Sequence, residues 1–355
     1  MGTRNNSGLS DEQKKAAIRL FQDGEQTAED AARPHGVDVN TIRRWAKQFK
    51  RLEQKTKNDD SLLDIAPPEF FNPDKPIEEY IDDICESYSR REKAHFQRKW
   101  MEFTVNMSGP IALVFIGDPH VDDNGCNWPL LKEHTEIIEK TEGMFSIPLG
   151  DYTNNWIGYL ASKKYPDQEI THKRAWELAE WFLKRIKPLV IIKGNHDLWS
   201  ASKGVKDPLD FISQGTVCEE WQARFQLKFP NNRIVKIHAA HNFKGDSIYN
   251  PNHGPMREEL FSGSIADIYA AGDKHNWIIS RYENARVNKC PVMFRARGYK
   301  YIDQYAEHLG YEPQRYGASV TCIIQPDKEG PTAISVWPEL TEAKEYLNYL
   351  RSKYV

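Results

Sequence analysis

The sequence has little of what several common protein classes require. Its five cysteines, Cys85, Cys126, Cys218, Cys290 and Cys322, stand far apart, and no CxxC spacing occurs. That argues against a disulfide scaffold and a zinc-thiolate site, and it predicts a reducing compartment. No run approaches the roughly 18 consecutive apolar residues of a membrane span. The opening residues, MGTRNNSGLSDEQKK, lack an apolar segment, which predicts no secretory signal and a cytoplasmic protein. No charge sign dominates: 48 Lys and Arg face 51 Asp and Glu, for a net charge of -3. Whole-chain charge therefore selects no partner, and its local distribution matters more. There is no internal repeat and no extended low-complexity tract. What is present, 39% hydrophobic residues over 355, is enough for a sizeable core, and the length suggests two units or one with an appendage.

Residues 10–50 read as three short helices. The first is DEQKKAAIRLFQ behind Ser10 as N-cap, with Ala17, Ile18 and Phe21 as its apolar stripe. The second is QTAEDAARPHG, capped by Thr27 and stopped by Pro34 and Gly36. The third starts near Asn40 or Thr41 and buries Ile42, Trp45, Ala46 and Phe49. Between residues 39 and 57, seven Lys/Arg (43, 44, 47, 50, 51, 55, 57) stand against Glu53 alone, a local balance of +6. Two short helices, a Gly-containing turn and a basic third helix match the helix-turn-helix pattern. In that reading Asn40, Thr41, Arg43, Arg44 and Lys47 contact DNA, cations for phosphates and Asn or Arg forks for base edges. A small bundle with a merely solvated basic face would look similar in charge, though not in the order of its elements. The segment resembles the helix-turn-helix of transposases, resolvases and phage regulators over about forty residues. We take residues 1–57 as this DNA-binding domain. Residues 58–108 would be a linker followed by a charged surface helix from Ile77 to about Phe103, its stripe of Tyr80, Ile81, Ile84 and Tyr88 leaning on the next domain.

From residue 110 one theme recurs: a short apolar run ends in polar, metal-capable residues. IALVFI leads to GDPH (117–120), FSIPL to GDYTNN, PLVIIK to GNHD (194–197), RIVKI to HAAH (238–241) and ADIYAA to GDKH (272–275). Such runs predict buried strands, with helices in WPLLKEHTEIIEKTEG and THKRAWELAEWFLKRIK between them. Open α/β sheets place ligands at the carboxyl ends of strands. Asp118, Asp151, Asn195, His241 and Asp273 are separated by 33, 44, 46 and 32 residues, long enough for each strand to return to one edge. Mixed carboxylate, imidazole and amide ligands suit Mn, Fe, Zn or similar ions. The set is too large for one tetrahedral ion and suits two ions about 3.5–4 Å apart, sharing one carboxylate.

In that order, DxH, GD, GNHD, H and GxxH resemble the calcineurin-like metallophosphoesterases over about residues 110–280. GDYTNNW, GNHDLWS and GDKHNW further resemble a subgroup common in phages and prophages, which would place the chain in a host cytoplasm. The resemblance implies a layered α/β/β/α sandwich of two mixed sheets over 109–355. It implies Asp118, His120 and His275 on a first divalent ion, Asn195, His241 and Asp273 on a second, and Asp151 bridging both. It implies a metal-activated water as nucleophile and His196 as acid or phosphate polariser, with Asp197 orienting His196. The ions would be Mn first, with Mg, Fe or Zn as alternatives. The last motif departs from the family's usual GHxH, putting Asp273 where an imidazole is expected. Asp273 either ligates and favours harder ions, or is too short and leaves the second ion loose.

His241 is preferred over His238, because an offset of three in a strand reverses the face. Asn155 and His253 are expected to touch substrate; Asp122 and Asp123 are expected to serve the loop. Arg295, Arg297, Lys300 and Tyr301 form a basic-aromatic patch that lines a phosphate path or faces solvent. ASVTCIIQP and TAISVWP predict a closing hairpin, followed by a final helix after Pro338. The expected activity is hydrolysis of a phosphodiester in nucleic acid or nucleotides by a two-metal centre delivered to DNA, with no membrane partner. The alternative is a DNA-binding regulatory or packaging-associated protein whose phosphoesterase domain is weak.

Overall fold

The structure is a computed structural model and describes residues 9–22, 24, 26–58, 76–164, 168–199, 207–263, 265–302 and 315–354. The chain divides after Ile81 into two compact units.

The first unit holds α1 (Asp11–Gln22), α2 (Ala28–Ala32) with a 3-10 turn at Arg33–His35, and α3 (Val39–Asn58). Ser10 and Gln13 cap α1 reciprocally: the Gln13 N–H donates to Ser10 Oγ at 3.3 Å and the Ser10 N–H to Gln13 Oε1 at 2.8 Å. Thr27 Oγ1 accepts from the Asp30 N–H at 3.2 Å to start α2. Gly36, at φ 62, ends the 3-10 turn in the left-handed conformation that glycine adopts without strain. Ile18, Ala28, Ala31, Ala32, Ile42, Trp45 and Phe49 form the core. Asn40, Arg43, Arg44 and Lys47 are exposed on α3. Thr41 is not: it is buried beside Ile42 on the inward face of the helix, so it is removed from the DNA-facing set. Helix α3 runs on to Asn58 through good helix formers with no Pro or Gly, to the start of the segment expected as a linker. The proline-rich part of that linker lies in 59–75, outside the described residues.

Helix α4 (Ile77–Gln97) ends in a 3-10 turn at Arg98–Trp100. Its apolar stripe does not pack as expected: Ile77, Tyr80, Ile81, Ile84 and Tyr88 are all exposed. The helix also stops short of Phe103, because Met101–Thr104 is a strand, β1.

The remaining strands are β2 (Ile111–Ile116), β3 (Met144–Pro148), β4 (Val190–Lys193), β5 (Val217–Glu220), β6 (Gln222–Lys228), β7 (Ile234–Ala240), β8 (Ile268–Ala271), β9 (Ile278–Arg281), β10 (Val292–Arg295), β11 (Ser319–Ile324) and β12 (Ile334–Trp337). Six form a mixed sheet in the order β1-β6-β7-β8-β10-β9, and four form a second mixed sheet, β12-β11-β2-β3. β4 and β5 pair in parallel, and a bridge from Ser146 to Pro188 ties that ribbon to β3. Because β1 pairs with β6, the large sheet starts at Met101, ahead of the boundary at 109 expected from the sequence.

The helices of this unit are α5 (Trp128–Lys140), α6 (Gly158–Lys164), α7 (His172–Arg185), α8 (Asn195–Leu198), α9 (Pro208–Ile212), α10 (His253–Phe261) and α11 (Leu340–Arg351). β2 alternates between two cores, as a period of two requires. Ile111, Leu113 and Phe115 join Phe225, Ile237, Ile268 and Phe294 between the sheets. Ala112, Val114 and Ile116 face Leu131, Ile138, Phe182 and Leu347 of α5, α7 and α11. On the far face of the large sheet, Tyr269, Ala271 and Met293 pack with Met256 of α10. The result is the expected α/β/β/α layering. Among the described residues, no helix is long and apolar enough to cross a membrane.

One buried histidine in this frame makes stability depend on pH. His134 of α5 is buried, with Nδ1 2.8 Å from the Tyr299 hydroxyl, and burial holds its imidazole down to about 4. The unfolded ring takes up a proton near its ordinary value of about 6.5. Stability from the neutral ring is therefore fully present above that pH and is lost as pH falls towards 4, by about 3 kcal/mol over the window. Denaturant melts of His134→Gln at pH 7 and pH 4.5 should show a smaller fall than the native chain. An equal fall would assign the acid sensitivity to other groups.

Candidate metal centre

Strand register brings the motifs together. β2 and β3 run in parallel with Ile116 beside Pro148, so the loops carrying Asp118 and Asp151 leave one sheet abreast. In the other sheet Ala240 pairs with Ala271, and the Gly272 N–H donates to the His241 carbonyl at 2.9 Å. Asn195 opens α8 directly after β4. The polar tips therefore meet at the carboxyl ends of strands from both sheets.

The loops are held in costly conformations. His120 (φ 39), Asp151 (φ 54), Asn155 (φ 41), Asp273 (φ 66) and His275 (φ 47) all have positive φ. Each costs of order 1–3 kcal/mol and persists where surrounding structure enforces it, as at functional sites. The glycines before Asn195 and Asp273 are needed for close approach. A Cβ on Gly194 would lie 2.2 Å from Asp151 Oδ1, and one on Gly272 would lie 2.9 Å from Asp118 Oδ1.

One oxygen organises the cluster. Asp151 Oδ2 lies 3.4 Å from His241 Nε2 and 3.9 Å from Nε2 of both His120 and His196. Two triads able to hold an ion, His120–Asp151–His196 and Asp118–Asp151–His241, share Asp151. His241 Nδ1 donates to the Leu149 carbonyl at 2.8 Å, which leaves Nε2 facing Asn195 Oδ1 at 2.9 Å, Asp151, and Asp273 Oδ1 at 3.6 Å. The His120 and His275 rings stack with centroids 5.4 Å apart. His238, by contrast, bonds Gln222 Oε1 at 2.9 Å and packs on Phe243, away from the cluster.

The donor set fits cations. Asp118 is fully buried, yet neither of its oxygens accepts a hydrogen bond, and His120 Nδ1 has no partner either. Leaving such groups unmatched is expensive unless a positive charge sits among them. Burial, then the neighbouring carboxylates Asp151 and Asp273, push the Asp118 carboxyl well up from its usual range. Burial disfavours charge on His241 too, but the hydrogen bond and charge of Asp151, with Asp118 and Asp273, outweigh it and raise the ring to about 10. Unmatched carboxylate oxygens gathered with imidazole and amide donors are a ligand set that suits divalent ions, whose binding would displace the proton.

Several roles expected from the sequence change. Asp197 does not touch His196. It is fully buried and accepts from the backbone N–H groups of Asp151 (2.7 Å), Gly194 (2.8 Å) and Tyr152 (3.1 Å), so it locks the two ligand loops together. His196 is instead oriented by the Asn154 carbonyl, which accepts from Nδ1 at 2.5 Å and leaves Nε2 towards Asp151. Asn155 is buried and donates to the His196 carbonyl at 2.6 Å, a loop-holding contact in place of the expected open substrate contact. His253 opens α10 against Gly245 and is not among the residues around Asp151. Asp122 serves the loop as expected, accepting from the Asn154 N–H and from Gln168.

Asp273 reaches the cluster, so the departure from GHxH brings a carboxylate and not a gap. Its other oxygen accepts from Asn242 Nδ2 at 2.7 Å. Asn242 in turn accepts from Arg295, which also donates to the carbonyls of Gly272 (2.9 Å) and Pro251 (2.9 Å). Arg295 and Arg297 are buried, the latter with its guanidinium 3.6 Å from the Tyr301 ring, so these two arginines are interior structure and not a surface patch. Asn242 and Arg295 were not recognisable as supports of Asp273: nothing in a lone Asn or an Arg at the end of a strand marks such a contact.

Residues 111–284 match the family model of the calcineurin-like phosphoesterases, and residues 5–69 match the transposase model. No curated protein sequence matches the chain. Among solved structures it is similar to Vps29 of Chaetomium thermophilum at 12% identity and a TM-score of 0.34, over 64% of this chain and 96% of that one. It is also similar to the calcineurin-like phosphoesterase YfkN of Bacillus subtilis at 10% identity and a TM-score of 0.35, over 68% of this chain and 99% of that one. The span that matches the phosphoesterase model contains every acid and imidazole gathered around Asp151, and the chain thus carries a calcineurin-like, metal-dependent phosphoesterase domain behind a helix-turn-helix segment.

Proposed function

We propose that the chain is a two-metal phosphodiesterase acting on nucleic acid, with α3 bringing it to DNA. The observation that carries the reading is Asp151, common to both triads, whose Oδ2 lies 3.4–3.9 Å from Nε2 of His120, His196 and His241. The two ions would divide the other members of the triads differently and leave His196 off both. Asp118, His120 and His275 would hold one ion, Asn195, His241 and Asp273 the other, and Asp151 both. Bound divalent ions would supply a water of lowered pKa and a clamp for the phosphoryl oxygens. The extra carboxylate of Asp273 favours hard ions, Mn before Zn.

His196 carries the proton chemistry. Its Nδ1–H is committed to the Asn154 carbonyl, so Nε2 is the atom presented to the reacting group. Protonated there, it donates to the leaving alkoxide, a role worth about a hundred- to ten-thousandfold in rate. The preference for a diester rests on the fused helix-turn-helix segment, whose exposed Asn40, Arg43, Arg44 and Lys47 suit phosphates and base edges.

The test is hydrolysis of bis(p-nitrophenyl) phosphate beside p-nitrophenyl phosphate by the chelator-stripped full chain, with Mn, Mg, Fe or Zn added back. The expected result is metal-dependent turnover, highest with Mn, favouring the diester, and lowered at least about a hundredfold in His196→Ala. A preference for the monoester would sink the phosphodiesterase reading. A fully active His196→Ala would remove the imidazole from the chemistry.

A further inference from the structure

We propose that Trp156 and Trp199 form an aromatic seat that stacks the nucleobase on the leaving-group side of the scissile phosphodiester. This rests on the reading of His196 as the acid that protonates the leaving oxygen.

The two indoles come from different motifs and meet around one imidazole. Trp199 caps the end of α8, three residues after His196, and its ring centroid lies 4.1 Å from that of His196 with the planes 39° apart. Trp156 follows Asn155, whose amide ties its loop to the His196 carbonyl. The Trp156 ring stands 5.2 Å from His196 at 68° and 6.3 Å from Trp199 at 36°. Trp156 and Trp199 are both half-buried.

Positioning His196 does not require them. The Asn154 carbonyl fixes its ring, and its own N–H donates to Asp151 Oδ1 at 3.0 Å. Two large, half-buried indoles against the imidazole of a hydrolytic site therefore call for a further account. Whatever leaves the phosphorus departs on the His196 side. In a nucleic acid the leaving oxygen belongs to a sugar, and the base hangs one sugar away, within reach of rings that already touch the imidazole. Indole faces stack any base, because every base offers a π-face. Just beyond Trp156, Tyr159 of α6 is exposed, with the Lys163 amine 4.6 Å from its ring centroid. Aromatic and cationic side chains in alternation are the usual surface for a single strand and its phosphates. Stacking needs an unpaired base, so the seat selects single-stranded or frayed substrate over a phosphoprotein or an aliphatic phosphate ester.

The experiment uses the full chain with Mn and two dinucleotide diesters. One carries thymidine as the leaving nucleoside, the other an abasic tetrahydrofuran unit in its place. The native chain should prefer the thymidine substrate by about tenfold or more in kcat/KM. Trp156→Leu and Trp199→Leu should bring that ratio to within about twofold of one, and Trp199→Phe should keep most of it. Melting temperature and ion content of each variant separate this from misfolding. A native ratio near one, or Leu variants that slow both substrates equally, would overturn the seat. If bis(p-nitrophenyl) phosphate is hydrolysed and neither dinucleotide is, the seat falls while the catalytic reading survives. Binding of thymidine to the metal-free chain, followed by ligand-observed NMR, tests the seat without catalysis. A signal lost in the Leu variants supports it, even should no diester be turned over, and no signal in the native chain counts against it.

Discussion

Asp151→Asn is expected to lower metal-dependent turnover by at least about a thousandfold and to cut the number of ions retained per chain. Replacing a group that merely supports a ligand costs about 10–100-fold in affinity or activity. In the proposed assignment Asp151 is the one ligand of both ions and it is common to both triads, so its loss acts on both ions at once. Asparagine keeps the shape and an oxygen to accept the His196 N–H, but it cannot bring negative charge to two cations. The fold should survive. In the ion-free chain Asp151 repels Asp118 and Asp197 but pairs with the His241 imidazolium, so the neutral amide relieves one interaction and loses the other. The expected signature is a variant that still melts cooperatively without ions but gains less stability from added Mn, since stabilisation by a ligand follows its affinity for the folded state. Thermal melts with and without Mn, together with elemental analysis after desalting, read this directly. A variant that keeps both ions and its activity to within tenfold would show that Asp151 is not the shared ligand.

That centre is legible in the sequence because its ligands follow strands buried on both faces. IALVFI and IYAA are continuous apolar runs, and each is followed by Gly and an acid, so the strand delivers a carboxylate at its tip. Strands with one polar face are not legible in this way. β6, QARFQLK, alternates between exposed and buried residues, and β1 is a short edge strand hidden at the end of a charged helix, so neither shows an apolar run. Ligand identity depends on residue type and spacing, which sequence preserves. Orientation depends on backbone carbonyls and amides, which carry no sequence signature. Proximity in the chain points Asp197 at His196, yet three N–H groups, two of them on the Asp151 loop, claim its carboxylate. The carbonyl that orients His196 belongs to Asn154, 42 residues away, and any residue type could supply it. Thr41 misleads in the other direction: a polar residue at a helix start looks solvent-facing, but its position on the helix puts it beside Ile42 and Trp45.

Removing three cations from α3 is the second large effect we expect. Arg43, Arg44 and Lys47 are exposed on a helix whose opposite face, Ile42, Trp45 and Phe49, is committed to the small core. Their charge is thus available to a partner without cost to packing, and Arg43→Ala/Arg44→Ala/Lys47→Ala should fold normally, since surface substitutions of this kind stay within about 0.5 kcal/mol each. If each side chain neutralises one phosphate, the slope of log affinity against log salt should become shallower by about 2.7, at about 0.9 per contact. At about 0.15 M salt the same release of counterions corresponds to about a hundredfold weaker binding of duplex DNA. The effect separates delivery from chemistry. Hydrolysis of bis(p-nitrophenyl) phosphate, which engages only the metal centre, should be unchanged, while cleavage of long DNA at low enzyme concentration should fall with the affinity. Unchanged duplex affinity and salt slope in the triple variant would assign this face to solvent. The helix-turn-helix segment would then need another role, and the diester preference would have to stand on the metal centre and its tryptophans alone.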